Sequence, residues 1–528
     1  MWRVYRPEMA HKFTWSSSLL METKIVNGGG KSGIWSNQWT FSRYHWSLLG
    51  VHHKEAQMKD EAAAHSGGIE KAPSLARGAL KPINVLAIAV AAISPTTSVF
   101  LVYGAGLASA GTGVILAFVI GGLIAIGMAM SYAEVGSLFP SAGGAYTIVR
   151  KALGPVAGGV TNILFLVLGI VVTASIVVAA ATFLNSLVPA LPVNWTAFAM
   201  MAIITMLSLE RISPTSWVTG AMLVLELAVI TVFTFFAFAH PALGGNPLTH
   251  PVMATGAKGA LVSVGAGALM IAVVPALFAY NGYDWPLYFA EESTEARRKL
   301  PRAVLLAAGI AILFELAAVV GATLAIRNLG AVSANASPLT LIAEQVMGAT
   351  GAKILLIGVI IAMFDTGLAG NLAYARIYYA SGRDGMWPGP LNRFFSHVSP
   401  RTQVPVYGFL VLFVGNGILS IFTSLNNLIT FTGVVIVVIY LLVAISALVS
   451  RVRFKEGERS FRMPVWPVPP LLAIVGVAIA LSQQARSDLI VTAIILLIAG
   501  GYYLARGRSI RAGAVDVAVE DMAAPEEA

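Results

Sequence analysis

The sequence predicts an all-α polytopic membrane protein with about twelve transmembrane helices. Three observations carry that expectation. The composition is too apolar for a soluble domain, long apolar runs follow one another from residue 82 onward, and Lys and Arg gather in alternate gaps between the runs. Of the 528 residues, 57% are hydrophobic and only 11% are charged, against about 45–50% and about 25% in soluble domains. So few charges cannot cover a water-facing surface of this size. An ordinary soluble enzyme, a disordered chain and a nucleic-acid-binding protein are excluded, and membrane lipid is the expected surrounding. There is no cysteine, hence no disulfide, thiol nucleophile or thiolate-ligated metal.

The apolar runs lie at about 83–107, 112–134, 157–185, 194–209, 215–240, 262–290, 302–326, 353–380, 405–422, 427–450, 468–482 and 488–504. They are read as helices because lipid demands internally satisfied backbone, and the runs are too long and unalternating for barrel strands. The fourth, ninth and eleventh are short for a span of about 20 residues. Even-numbered gaps hold Arg150, Lys151, Arg297, Arg298, Lys299, Arg451, Arg453 and others, whereas odd-numbered gaps and their edges hold only Lys258, Arg327, Lys353 and Arg486. That skew places both termini in the cytoplasm.

Residues 1–81 form a polar lead, expected to be a disordered tail. The text changes at Met58, and residues 1–57 lack an apolar signal segment. Met58 is the expected natural start, the alternative being a genuine longer tail. The rest divides into 82–240, 241–450, two further helices within 451–505, and a tail over 506–528.

Two runs are interrupted. The first holds Pro95 at its middle, flanked by Ser94, Thr96, Thr97 and Ser98. Proline removes one helical hydrogen bond, and the hydroxyls can serve freed carbonyls or a solute. The sixth holds Pro275, Asn281, Gly282, Asp284 and Pro286, and Asn-Gly is a turn former. Each taken alone has an ordinary explanation, a kinked helix or a loop splitting the run. The two breaks lie five spans apart, however. Matching breaks in two five-helix halves point to an inverted-repeat transporter with a central site, where exposed helix ends offer amides to a carboxylate and carbonyls to a cation.

Three segments then resemble the amino acid–polyamine–organocation (APC) superfamily of permeases. They are YAEVGSLFPSAGGAYTIVRKALG at 132–154, AEESTEARRKLPRAV at 290–304 and NLAYARIYYASGRDGMWPGPLNRF at 371–394. The resemblance covers 82 to about 505. It implies the LeuT-type fold, alternating access and a site between the broken first and sixth helices. Many amino-acid carriers of the family have a glycine-rich first break. Here the stretch Ile93–Ser98 has no glycine, which loosens the inference to an α-amino acid.

Candidate substrate-binding residues are Ser94, Thr96, Thr97, Ser98, Phe278, Tyr280, Asn281, Gly282 and Asp284. Asp284 either meets a substrate ammonium or caps the half-helix after the break. Rings at Phe278, Tyr280, Tyr283 and Trp285 suit a cation, though aromatic belts are common in membrane helices. Glu226 in the fifth run and Asp365 in the eighth are the coupling candidates inside the bundle, Glu226 as a proton carrier and Asp365 for a proton or a cation. A packing role for Glu226 stays open, and Glu315 is read as structural. Glu134, Arg150, Lys151, Glu291, Glu292, Arg297, Arg298 and Lys299 are read as gate or loop contacts.

GAGLASAG at 104–111 lacks the strand–helix context and the Gly-Lys-Ser/Thr of a phosphate loop. No cofactor, resident metal or enzymatic activity is expected. The expectation is a secondary transporter of an amine-bearing small molecule, coupled to protons and, as an open alternative, to sodium. An exchanger or a solute-sensing receptor would use the same scaffold.

Overall fold

In a computed structural model, helix lies within every one of these apolar runs. The structure describes residue 75 and residues 78–523, except 211, 256–259, 336 and 455–458. The expected tail over 1–57 and the start at Met58 lie outside the described residues.

The first run is two helices, α1 (Pro82–Ile93) and α2 (Pro95–Ala110), parted by Ser94 in the left-handed region at φ 47°. Pro95 does not interrupt a turn. It opens α2 at the first helical position, where its missing N–H costs nothing. A 3-10 turn over Gly111–Gly113 leads into α3 (Val114–Leu138), followed by the short α4 (Gly144–Leu153). Next come α5 (Pro155–Leu187), α6 (Val193–Ser208) and α7 (Ile212–Ala239).

The sixth run starts later than expected. Residues 262–263 belong to a small antiparallel strand pair, β1 (Val252–Thr255) with β2 (Ala260–Ser263), the one sheet among the described residues. Helix α8 (Ala266–Ala279) then stops, a turn carries Tyr280–Asp284, and a 3-10 segment Trp285–Phe289 resumes. The chain continues through α9 (Ala296–Leu324) and α10 (Leu329–Ser333) into α11 (Pro338–Arg383). Helix α11 begins well before the expected 353 and is kinked at Gly348, whose φ is 73°. The remainder is α12 (Gly389–Phe395), α13 (Val406–Phe422), α14 (Leu425–Arg453), α15 (Val468–Ser482) and α16 (Arg486–Ala523). Helix α16 thus carries the last run on through most of the expected tail.

Among the described residues, seven helical stretches are long and apolar enough to cross a membrane, and α6, α8, α13 and α15 are shorter apolar helices. The protein is therefore an all-α polytopic membrane protein. Helix α5 is its most buried long helix. Packing there relies on small residues, which let helices approach where lipid offers no hydrophobic drive. A Cβ built on Gly169 of α5 would sit 2.7 Å from the Tyr374 ring on α11. On another side α6 packs against α13, with Phe198 and Phe413 rings 5.3 Å apart and Trp195 against Phe198.

The two interruptions meet. Gly282 sits at φ 122°, and a Cβ there would lie 3.0 Å from the backbone nitrogen of Ile93 and 3.1 Å from the carbonyl carbon of Ala92. Only glycine serves both the angle and the approach. Beyond the second break, Leu80 forms a parallel bridge with Ser293, and its N–H donates to the Glu292 carbonyl at 2.9 Å. The Glu292 side chain is buried against Arg376 of α11, which donates through Nε and, at 2.9 Å, through Nη2. Arg376 also stacks on Phe289 and donates to the Leu372 carbonyl. Nearby, Glu134 accepts from Arg451 and from the Met463 N–H and pairs with Arg459. Arg383 pairs with Glu291 and Asp384.

Gly282→Ala is expected to destabilise the protein by about 1–3 kcal/mol, read as an earlier melting midpoint in detergent. Arg376→Met leaves Glu292 buried without its cation, an expected loss of about 3–5 kcal/mol. The double variant Arg376→Met/Glu292→Met should recover most of that midpoint. A single variant that melts like wild type contradicts the assignment.

Candidate functional site

Breaking α1 from α2 frees backbone groups in the bundle, and the hydroxyls at the break take them up. Ser98 Oγ lies 2.6 Å from the Ile93 carbonyl and 2.8 Å from the Ala279 carbonyl at the end of α8, so one side chain serves both breaks. Ser94 Oγ accepts from the Thr97 N–H at 3.2 Å and donates to Thr97 Oγ1 at 2.6 Å. Thr97 Oγ1 lies 2.9 Å from Thr366 Oγ1 on α11. All four residues are buried.

Between the breaks is a small cavity of about 20 Å³. Thr97, Ser98, Phe278 and Asn281, four of the candidate residues, line it. Trp285 and Thr366 join them, with apolar walls that include Leu101, Val172 and Ile176. Val172 and Ile176 come from α5, and nothing in an apolar run marks two such residues as facing a site. Thr366 was signalled only by its place beside Asp365.

The other expected ligands lie around this cavity rather than in its wall. Ser94 is held in the break. Thr96 faces α7, donating its hydroxyl to the Glu226 carbonyl at 2.9 Å and its N–H to Glu226 Oε1 at 3.4 Å. Tyr280 turns away, donating to the Phe118 carbonyl at 3.2 Å with its ring edge-on to Phe118. Gly282 is the contact between the breaks. Asp284 precedes the 3-10 segment but makes no side-chain cap bond. Its Oδ2 instead accepts from the Tyr288 hydroxyl. Asn281, in the cavity wall, donates to the Tyr440 hydroxyl at 3.0 Å.

Three buried carboxylates lie within the bundle on α7, α9 and α11. They are Glu226, Glu315 and Asp365. Glu226 Oε2 and both oxygens of Glu315 have no hydrogen-bond partner. Asp365 lies within electrostatic reach of Glu226 and of the Thr219 hydroxyl. Among the described residues, no group of three or more His, Asp or Glu side chains converges to hold a metal ion. Thr96 links Glu226 to the break, and Thr366 joins the Asp365 segment to Thr97. Glu226 therefore stands one hydrogen-bonded neighbour from the break, whereas Asp365, both of whose oxygens lack a partner, adjoins the cavity only through its chain neighbour Thr366.

The expected gate or loop residues divide. Glu134, Glu291 and Glu292 are ion-paired, as described above. Arg150 lies 3.9 Å from Asp384, which also accepts from the Tyr146 hydroxyl at 2.9 Å. Burial, reinforced by the Asp384 charge, pushes the Tyr146 phenol well above its ordinary pKa, so it stays a donor. Lys299 pairs with Glu295 one helical turn away, at an exposed site where such a pair contributes little.

The family model of the amino acid permeases matches residues 80–503. The chain is 24% identical over 401 residues to the branched-chain amino acid permease BcaP of Bacillus subtilis, covering 72% of this chain and 82% of that one. It is 26% identical over 291 residues to the low-affinity putrescine importer PlaP of Escherichia coli, covering 54% and 62%. It is 22% identical over 401 residues to the methylthioribose transporter of Bacillus subtilis, covering 71% and 82%. With the match running from the segment before the first broken helix into the last apolar one, the chain belongs to the amino acid permease family.

Proposed function

We propose that this permease is a secondary active transporter of amino acids or related amines, and that it moves them by alternating access as a proton symporter. The reading takes the apolar helices as twelve spans in two five-helix repeats plus two, with both termini cytoplasmic. The substrate sits between the two breaks, against Thr97, Ser98, Asn281 and the Phe278 ring. Ser94, Thr96, Tyr280 and Gly282 shape that site from behind. Relatives named for a branched-chain amino acid and for putrescine support an amine-bearing cargo.

The observation that carries proton coupling is the pair of bonds from Thr96 to Glu226. A carboxylate in a bundle is costly unless paired or protonated. Glu226 has one oxygen on the break and one without a partner. A change in its charge therefore acts directly on the first turn of α2. Asp365 is the second carrier, and its segment reaches the cavity through Thr366 and Thr97. Exchange of one solute for another is the alternative, since an exchanger needs the same cavity and no net proton.

The test is uptake into sodium-free proteoliposomes of purified protein under an inward proton gradient, with a panel of amino acids, monoamines and diamines. Accumulation of one member above its outside concentration is expected. Flux only from preloaded vesicles would favour exchange, and accumulation only on adding sodium would replace the proton. Glu226→Gln should abolish gradient-driven accumulation while substrate binding stays within about twofold. Undiminished accumulation across pH would reject Glu226 as the carrier.

A further inference from the structure

Behind the central cavity lies a second polar centre. Asp284 is only 1% exposed. Tyr132, Tyr288, Tyr374 and Tyr440 are all buried and all within electrostatic reach of its carboxylate. The rings form one cluster. Tyr132 lies 6.1 Å from Tyr283 and 6.3 Å from Tyr440, and Tyr283 lies 6.0 Å from Tyr440. These side chains come from α3, the turn at the second break, the segment after it, α11 and α14.

Hydrogen bonding in this cluster is incomplete. Asp284 Oδ2 is taken by Tyr288, but Oδ1 has no partner, and neither has the Tyr132 hydroxyl. Trp285 Nε1 lies close to the Tyr374 hydroxyl without reaching hydrogen-bond geometry. Buried polar groups are ordinarily satisfied, and a charged oxygen left without a donor is the most costly case. No described Lys or Arg forms an ion pair with Asp284. A small cation that donates hydrogen bonds would meet the missing acceptors, and phenol ring faces attract it further.

Trp285 divides this centre from the cavity. Its side chain lines the cavity, its ring packs 5.2 Å from Tyr374, and a Cβ on Gly370 would come within 3.0 Å of it. We propose that Asp284, with the surrounding tyrosine hydroxyls and rings, is a separate binding station for a primary ammonium group, partitioned from the central cavity by Trp285. The station rests on the transporter reading only for the expectation that the cargo bears an amine. A solute leaving the central cavity then passes its amine to Asp284 before it reaches the buried Arg376–Glu292 pair.

Radiolabelled methylammonium is a probe small enough to need nothing but the ammonium contacts. Equilibrium dialysis against the purified full chain is expected to show saturable binding. Asp284→Asn should weaken that binding at least tenfold. Tyr132→Phe removes one unpartnered hydroxyl without changing shape, and is expected to weaken it severalfold while the protein melts no earlier. Lys299→Gln, at the exposed surface pair with Glu295, should leave it unchanged. No saturable binding to wild type, equal binding by Asp284→Asn, or an equal loss in Lys299→Gln would each overturn the station. So would unchanged methylammonium affinity in Asp284→Asn and Tyr132→Phe with proton-driven uptake lost, which would make the cluster a hydrated proton path. Binding is read without flux. Asp284-dependent binding with no uptake by wild type would spare the station and sink the transport reading, and uptake with Asp284-independent binding would do the reverse.

Discussion

Lipid cannot hydrogen-bond a backbone, so every helix break inside a bundle must be repaired by protein. Here the repair is done by neighbouring hydroxyls at one break, and Ser98 reaches the carbonyls of both broken segments. Much of the site follows from that. Because Ser98 and Gly282 bring the breaks into contact, the cavity between them is small and its polar wall is short. Because Ser94 and Thr97 are occupied with each other, Thr97 reaches across to Thr366 rather than into its own helix.

The polar chemistry of this permease is layered along the bundle. Carboxylates without cations lie beside the first break, on α7, α9 and α11. Asp284 and its phenols lie past the second. Fully paired acids, Glu292 with Arg376 and Glu134 with Arg451 and Arg459, lie beyond. Paired charges in a low-dielectric setting hold one geometry because removing either partner is costly. Unpaired acids have no such anchor, and are free to change protonation or partner. The ordering places fixed structure at one end and adjustable chemistry beside the cavity.

The breaks were legible from residue type. Pro95 with its run of hydroxyls and Asn281-Gly282 each announce a place where helix cannot continue, although the actual discontinuity falls on Ser94, because proline is well suited to starting the second segment. Thr97, Ser98, Phe278 and Asn281 were legible by standing next to those breaks. Tyr280 and Thr96 stand equally close in sequence but point elsewhere, and only the helix rotation decides that. Val172 and Ile176 carried no signal, since an apolar residue facing a cavity reads like one facing lipid. The strand pair at 252–263 was hidden because its second strand is as apolar as the helix that follows. The partners of Glu134 were not legible either. Arg451 stands 317 residues away, and no local pattern records so distant a pairing.

The side of the protein built from α6 and α13 has a further consequence. Read as spans, these adjacent helices have 16 and 17 residues, or roughly 24–26 Å of rise. An ordinary hydrocarbon layer is about 30 Å deep. The bilayer bordering this face must therefore dimple, or let headgroups and water sink toward the helix ends. Lipid thickness then becomes a load on this flank, and a membrane of short-chain lipids would relieve it.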